Sequence, residues 1–151
     1  MWKKVLIGLL VLFLAIQLLR PAKDQGLPPG PNDLIVRTDP DPGIKQLLVN
    51  TCYDCHSNQT RYPWYTEVQP FGWWIAHHVK EGKSHLNFST LGELSPKRAA
   101  QKLEQCADEV SEGEMPLASY KLAHPAARLT PAQRKLLSNW FGIERAKYQP
   151  E

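Results

Sequence analysis

The sequence predicts an all-α domain, and three observations carry that expectation. Apolar residues recur at spacings of three and four in several separate segments, those segments are bounded by residues that start and stop helices, and no stretch sustains the alternation of a half-buried strand. The 151 residues, 42% of them hydrophobic, suit one ordinary core rather than two. A formal net charge of +3 looks basic, but residues 1–25 hold Lys3, Lys4, Arg20 and Lys23 against Asp24 alone. Beyond them basic and acidic residues balance at 14 each, so no nucleic acid is expected among the partners.

In chain order, the first element is the apolar run VLIGLLVLFLAIQLL at residues 5–19, preceded by Lys3 and Lys4. It fits a secretory signal or a short membrane anchor, and either would export the rest. A cleaved signal ends in small residues, whereas Gln17, Leu18, Leu19, Arg20 and Pro21 stand here. Residues 1–20 are therefore expected to be an uncleaved N-terminal membrane helix, although cleavage stays open. The protein would be single-pass in the cell membrane, with its domain on the periplasmic, extracytoplasmic side. Fifteen residues at about 1.5 Å each fall short of a hydrocarbon layer of about 30 Å, so Trp2 and the lysines would reach into the interface. Residues 21–42 follow as a Pro-rich linker, because six of the thirteen prolines lie between residues 20 and 43. Proline removes donors and fixes φ, which favours a stiff extended tether over a helix, with DLIV at residues 33–36 free to dock.

The domain itself is expected over residues 43–147, in four helices. Residues 43–51 place Ile44, Leu47 and Leu48 on one face and lead into Cys52. A second helix starts near Phe71 and ends at Gly82, with Trp74, Ile75, His78 and Val79 inward and His77 aside. The third has Ser95 as N-cap and Pro96 at its first position, a stripe of Ala99, Leu103, Cys106 and Val110, and Gly113 as its stop. The last opens on Thr130 and Pro131 with Gln133 completing a capping box, and should bury Leu136, Leu137, Trp140 and Ile143.

Chemistry enters with Cys52-Tyr-Asp-Cys55-His56. C-x-x-C-H is the spacing at which two thiols add to the vinyl groups of one porphyrin and the adjacent imidazole falls under the iron. One covalent haem c is the expected cofactor, with His56 as proximal ligand. Two other uses of the cysteines compete: a thioredoxin-like redox pair, which needs a βαβ setting, and a structural zinc site, which would recruit ligands such as His77 and His78.

If His56 takes one axial side, Met115 is the first candidate for the other, as distal ligand. It lies just past the helix stop Gly113 and before Pro116, in a loop whose backbone cannot resume a helix there. His77, His78, His85 and His124 compete for that side, and His78, on the apolar face of its helix beside Trp74, is the strongest of them as alternative distal ligand. His124, before Pro125, reads as an ordinary loop residue.

Three blocks, CYDCHSNQTRYPWY, PFGWWIAHHVKEGKSHLNFS and GEMPLASYKLAHPAARLT, together resemble the small bacterial haem-binding domain proteins related to class I c-type cytochromes. The resemblance covers roughly residues 40–145. It implies a single-haem, cytochrome c-like helical fold, membrane-tethered or periplasmic, with Cys52, Cys55 and His56 as haem-attachment and proximal residues and Met115 as distal ligand. His78-Val79 and LNFS at residues 86–89 also match, their role unassigned. A His/Met-ligated iron has no open position, so electron transfer with redox partner proteins, membrane-bound ones included, is expected rather than catalysis. Tyr62, Trp64, Tyr65, Trp73, Trp74 and Tyr120 would wall the porphyrin from water. A haem peroxidase or a small-gas sensor in which Met115 is displaced is the alternative. Cys106 has no evident partner and reads as a small buried hydrophobe.

Overall fold

The computed structural model describes residues 1–24, 26 and 28–148; positions 25 and 27, which fall in the expected linker, lie outside the described residues. Among those described the chain is all-α, with no strand: α1 Trp2–Ile16, α2 Leu34–Thr38, α3 Pro42–Thr51, α4 Tyr53–His56, α5 Phe71–His85, α6 Pro96–Glu112, α7 Ala118–Ala123 and α8 Pro131–Ala146. Short 3₁₀ turns at Trp64–Glu67, Phe88–Glu93 and Pro125–Ala127 link them.

The pair α6 and α8 forms the back of the domain. Pro96 at the first helical position starts α6, and Gly113 ends it at φ 87°, a left-handed conformation open to glycine at little cost. At the start of α8 the capping box forms as expected: the Thr130 N–H donates to Gln133 Oε1 at 2.9 Å, and the Gln133 N–H to Thr130 Oγ1 at 3.2 Å. Two bonds clamp the helices: Ser138 Oγ donates to the Ala107 carbonyl at 2.9 Å and Arg134 Nη1 to that of Val110 at 2.8 Å. Leu103 and Val110 pack with Leu34, Leu48, Leu91, Leu137 and Phe141 in one core.

Several expectations are corrected. The buried face of α8 is Leu137, Phe141 and Glu144, while Leu136 and Ile143 are exposed and Trp140 is half-buried. The helix carries two overlapping apolar stripes, and packing on α6 selects the one at 137, 141 and 144. Glu144 is tolerated there because Lys147 Nζ meets its carboxylate at 2.7 Å. On α5 only Gly72 and Val79 are buried, and Trp73 and Trp74 stay exposed. Nor does Gly82 stop α5, which continues to His85. That glycine lets the helix lie against α4: a Cβ there would stand 2.6 Å from the Cys55 carbonyl oxygen.

The Pro-rich segment holds a helix after all, α2, squeezed between Pro31 and Pro40. Asp33 caps it by accepting from the Ile35 N–H at 2.9 Å, and Asp33 and Leu34 are both fully buried. Proline content hid this because the prolines flank the turn and do not enter it.

At the N-terminus, α1 is a 15-residue helix with none of its residues buried. No helix among the described residues is long and apolar enough to cross a membrane, so the spanning helix expected of residues 1–20 is not present as such. The helix ends early because Gln17 turns to the domain. Its Nε2 donates to the carbonyls of Phe13 (2.9 Å) and Gln69 (3.2 Å), and its Oε1 accepts from the Gln69 N–H at 2.8 Å.

Candidate haem site

The fold leaves one large cavity, about 630 Å³, among α3, α4, the end of α5, α6 and the loop between α6 and α7. That lies in the range of roughly 300–1,000 Å³ typical of cofactor sites. Cys52, Cys55, His56, His78 and Met115 all line it, so the structure brings together the residues named from the sequence for attachment and axial ligation. Leu86, Phe88, Val110 and Phe141 supply apolar wall, and Lys102 and Asp108 of α6 give it a polar edge.

The C-x-x-C-H segment is held from both sides through the two residues between its cysteines. Tyr53 is buried, and its hydroxyl donates to Asp33 Oδ1 at 2.9 Å. Its ring stacks on Phe88 (5.6 Å, 12°), and Phe88 in turn on Phe141 (6.2 Å, 12°). Asp54, also buried, takes a forked ion pair from Arg61, whose Nε lies 3.0 Å from Oδ1 and Nη2 3.1 Å from Oδ2. The Arg61 N–H adds a third bond at 3.1 Å, and the Tyr120 hydroxyl donates to Oδ2 at 2.6 Å. Burial, then the bond to Asp54, pushes the Tyr120 phenol well above its ordinary range, so it stays a donor.

His56 is oriented by the backbone that follows α5. Its Nδ1 lies 3.1 Å from the Leu86 carbonyl oxygen. A carbonyl only accepts, so Nδ1 carries the proton and Nε2 presents its lone pair. Burial lowers the imidazole's pKa, which keeps that lone pair available at neutral pH.

No disulfide joins the three cysteines. Burial pushes Cys52 and Cys55 up to about 11, so both stay protonated near neutrality and exchange slowly with disulfides. Cys106 is half-buried with its open side on the same cavity, and burial raises its thiol further. The thioredoxin-like arrangement is absent, since no strand forms among the described residues. Among those residues no three His, Cys, Asp or Glu side chains gather to hold a metal ion, so the zinc arrangement is absent too.

Met115 follows the left-handed Gly113, and the Glu109 carbonyl accepts from the N–H groups of Gly113 (3.2 Å) and Met115 (3.1 Å). His78 donates Nδ1–H to the Trp74 carbonyl at 2.8 Å, which leaves its Nε2 with a free lone pair. Of the aromatics expected to wall the site, Tyr120 does line the cavity. Trp64, Trp73 and Trp74 are exposed instead. His124 is more than a loop residue: it stacks on Tyr120 at 3.9 Å, and its Nε2 meets the Tyr65 hydroxyl at 3.2 Å.

Sequence reasoning missed Asp33, Asp54, Arg61 and Gly82. The first three sit at positions that look like linker, spacer and loop; only the buried geometry reveals them as the clamp.

The residues present fit a haem: a cavity of suitable size, two neutral thiols, an imidazole with a free Nε2, and a thioether from a separate element. A family model described as a haem-binding domain matches residues 11–142 of the chain. No curated protein and no solved structure matches it.

Proposed function

This chain belongs to the haem-binding domain family, and on that premise we propose that it is a membrane-tethered monohaem c-type cytochrome, working in electron transfer on the periplasmic side of the cell membrane. The haem, when bound, supplies a one-electron iron couple. Cys52 and Cys55 would hold it by thioether bonds, His56 would be the proximal ligand through Nε2, and Met115 the distal ligand. Donation from His56 Nδ1–H to the Leu86 carbonyl fixes the ring and increases the basicity of Nε2. Met115 contributes a neutral thioether, which favours the reduced state. With His56 and Met115 both holding the iron, no position would be open to substrate, which is why electron transfer is preferred to catalysis. The relation to class I cytochromes c rests on the same residues. Redox partner proteins, membrane-bound ones included, are the expected clients.

The observation that carries this reading is a single cavity shared by Cys52, Cys55, His56 and Met115. Its test is an absorption spectrum of the full chain matured with haem-attachment machinery, taken before and after acid-acetone extraction. Colour that stays with the polypeptide and a low-spin spectrum with the far-red band of thioether-to-ferric ligation are expected. Met115→Ala should abolish that band. Loss of all colour to the solvent would overturn covalent attachment, and a high-spin resting iron would point to the peroxidase or sensor.

One observation favours a second distal ligand. His78 lines the same cavity and has an uncommitted Nε2. A wild-type spectrum without the far-red band, altered by His78→Ala and not by Met115→Ala, would assign it.

A further inference from the structure

The junction of α1 with the domain pairs most of its backbone carbonyls within the chain. The last four carbonyls of an α-helix have no partner in the regular helical pattern and must find one elsewhere. Here Phe13 O accepts from Gln17 Nε2 at 2.9 Å, and the carbonyls of Leu14, Ala15 and Ile16 accept from the N–H groups of Gln17, Leu18 and Leu19 at 3.2, 3.2 and 3.1 Å. Leu18 O accepts from the Arg20 N–H at 3.2 Å, and Leu19 O from the Trp73 indole at 2.6 Å. The Gln17 side-chain amide is closed in both directions on the backbone of Gln69.

Around these satisfied polar groups the surface is apolar and open. Leu18 is 84% exposed, Leu19 64%, Phe71 56% and Trp74 45%, with Trp73 beside them. Water disfavours such exposure, whereas hydrocarbon favours it and also calls for the pairing that most of these carbonyls have. Charge begins just beyond: Arg20 and Lys23 both pair with Glu67, at the level where headgroups would start.

We propose that Leu18, Leu19 and the first turn of α5 form a membrane-docking collar that seats the domain itself in the headgroup–acyl boundary of a lipid bilayer. The inference rests on the reading that α1 inserts into the membrane. It also resolves the length of that helix: 15 residues at about 1.5 Å each reach only about 22 Å of a layer of about 30 Å. The collar supplies apolar surface where the helix runs out. The haem domain is then held at one orientation to the bilayer, and the linker from Pro21 onward does not act as a free swivel.

The test uses the full, haem-loaded chain in phosphatidylcholine–phosphatidylglycerol vesicles that contain a phosphatidylcholine with a diazirine high on its acyl chain. After irradiation, lipid adducts are mapped by peptide mass spectrometry. Adducts on α1 and on residues 71–74 are expected. Adducts confined to residues 1–19 overturn the collar and leave the anchor standing, whereas adducts on neither region overturn the anchor as well. Absence of lipid adducts at residues 71–74 together with a dimer trapped by a separately added bifunctional crosslinker would assign the patch to a second copy and overturn the lipid collar. In the Leu18→Ser, Phe71→Ser variant, collar adducts should fall about fivefold with α1 adducts and the haem spectrum unchanged, since interfacial binding scales with buried apolar area. Unchanged collar labelling in that variant would count against the proposal.

Discussion

The wall that bears Cys52, Cys55 and His56 and the loop that bears Met115 reach the same cavity with very different fixation. On the wall four of the motif's five residues are tied to another part of the chain: Tyr53 to Asp33, Asp54 to Arg61 and Tyr120, His56 to Leu86, and Cys55 to the close approach of Gly82. The loop has fewer ties: the Glu109 carbonyl on the Met115 N–H, Arg134 on the Val110 carbonyl, and the packing of half-buried Met115 and buried Pro116, while Glu114 and Leu117 are exposed. On the proposed reading, haem attachment would be fixed at many points and distal ligation at few. Damage to the wall should spread through the fold, while damage to the loop should stay in the iron's ligand field.

The strongest way to break that contrast is Asp54→Ala. It removes a buried carboxylate that accepts four hydrogen bonds and leaves Arg61 and Tyr120 without their partner. Removing one member of a buried pair costs about 3–5 kcal/mol, and the Arg61 side chain is 55% exposed, so water recovers part and about 3 kcal/mol is expected. Urea unfolding of the matured protein measures it, and the yield of haem-loaded chain should fall in parallel. A shift under about 0.5 kcal/mol, the scatter of ordinary surface substitutions, would mean the clamp is dispensable. Gly82→Ala should come next, at about 2 kcal/mol, because its Cβ meets backbone at Cys55 and overpacking outweighs the roughly 1 kcal/mol of helix propensity gained. Since α5 must then shift away from α4, the spectrum should change along with stability.

The same contrast explains what could be read from sequence. The motif, the helix-stop glycine before Met115 and the capping box on α8 are local signals, and each is found where spacing and composition put it. Asp33 and Arg61 act through bonds that close only after folding. Asp33 reaches Tyr53 across 20 positions and Ser89 across 56, separations that no periodicity records. The α8 error has a related cause: Leu136 and Ile143 are as apolar as Leu137 and Phe141, and only the partner α6 chooses between the stripes. Gly82 shows the limit most plainly, since a glycine that ends a helix and one that admits a neighbouring backbone look identical in sequence.

Gly113→Ala sharpens the comparison from the loop side. An alanine at φ 87° costs about 1 kcal/mol, and its Cβ meets only the end of the Arg134 side chain. Covalent haem content should stay at wild-type level while the far-red band weakens, the reverse of the pattern for Asp54→Ala. Equal losses in both readouts would erase the distinction between wall and loop.

The smallest effect is expected at Cys106, which looks into the cavity from α6, the helix that leads into the loop. Once Cys52 and Cys55 are used in thioethers it is the remaining free thiol, and burial raises its pKa far above the ordinary thiol value. Alkylation needs the thiolate, whose share grows about tenfold per pH unit below the pKa, so a raised pKa keeps labelling slow from pH 7 to 9. Iodoacetamide followed by mass spectrometry should therefore leave Cys106 unmodified in the folded, haem-loaded protein and modify it fully in urea. Met115→Ala should speed labelling only if the loop opens when its anchor on the iron is lost. Fast labelling of the wild type would mean that the loop side opens on its own, and the looseness inferred for Met115 would then extend into α6.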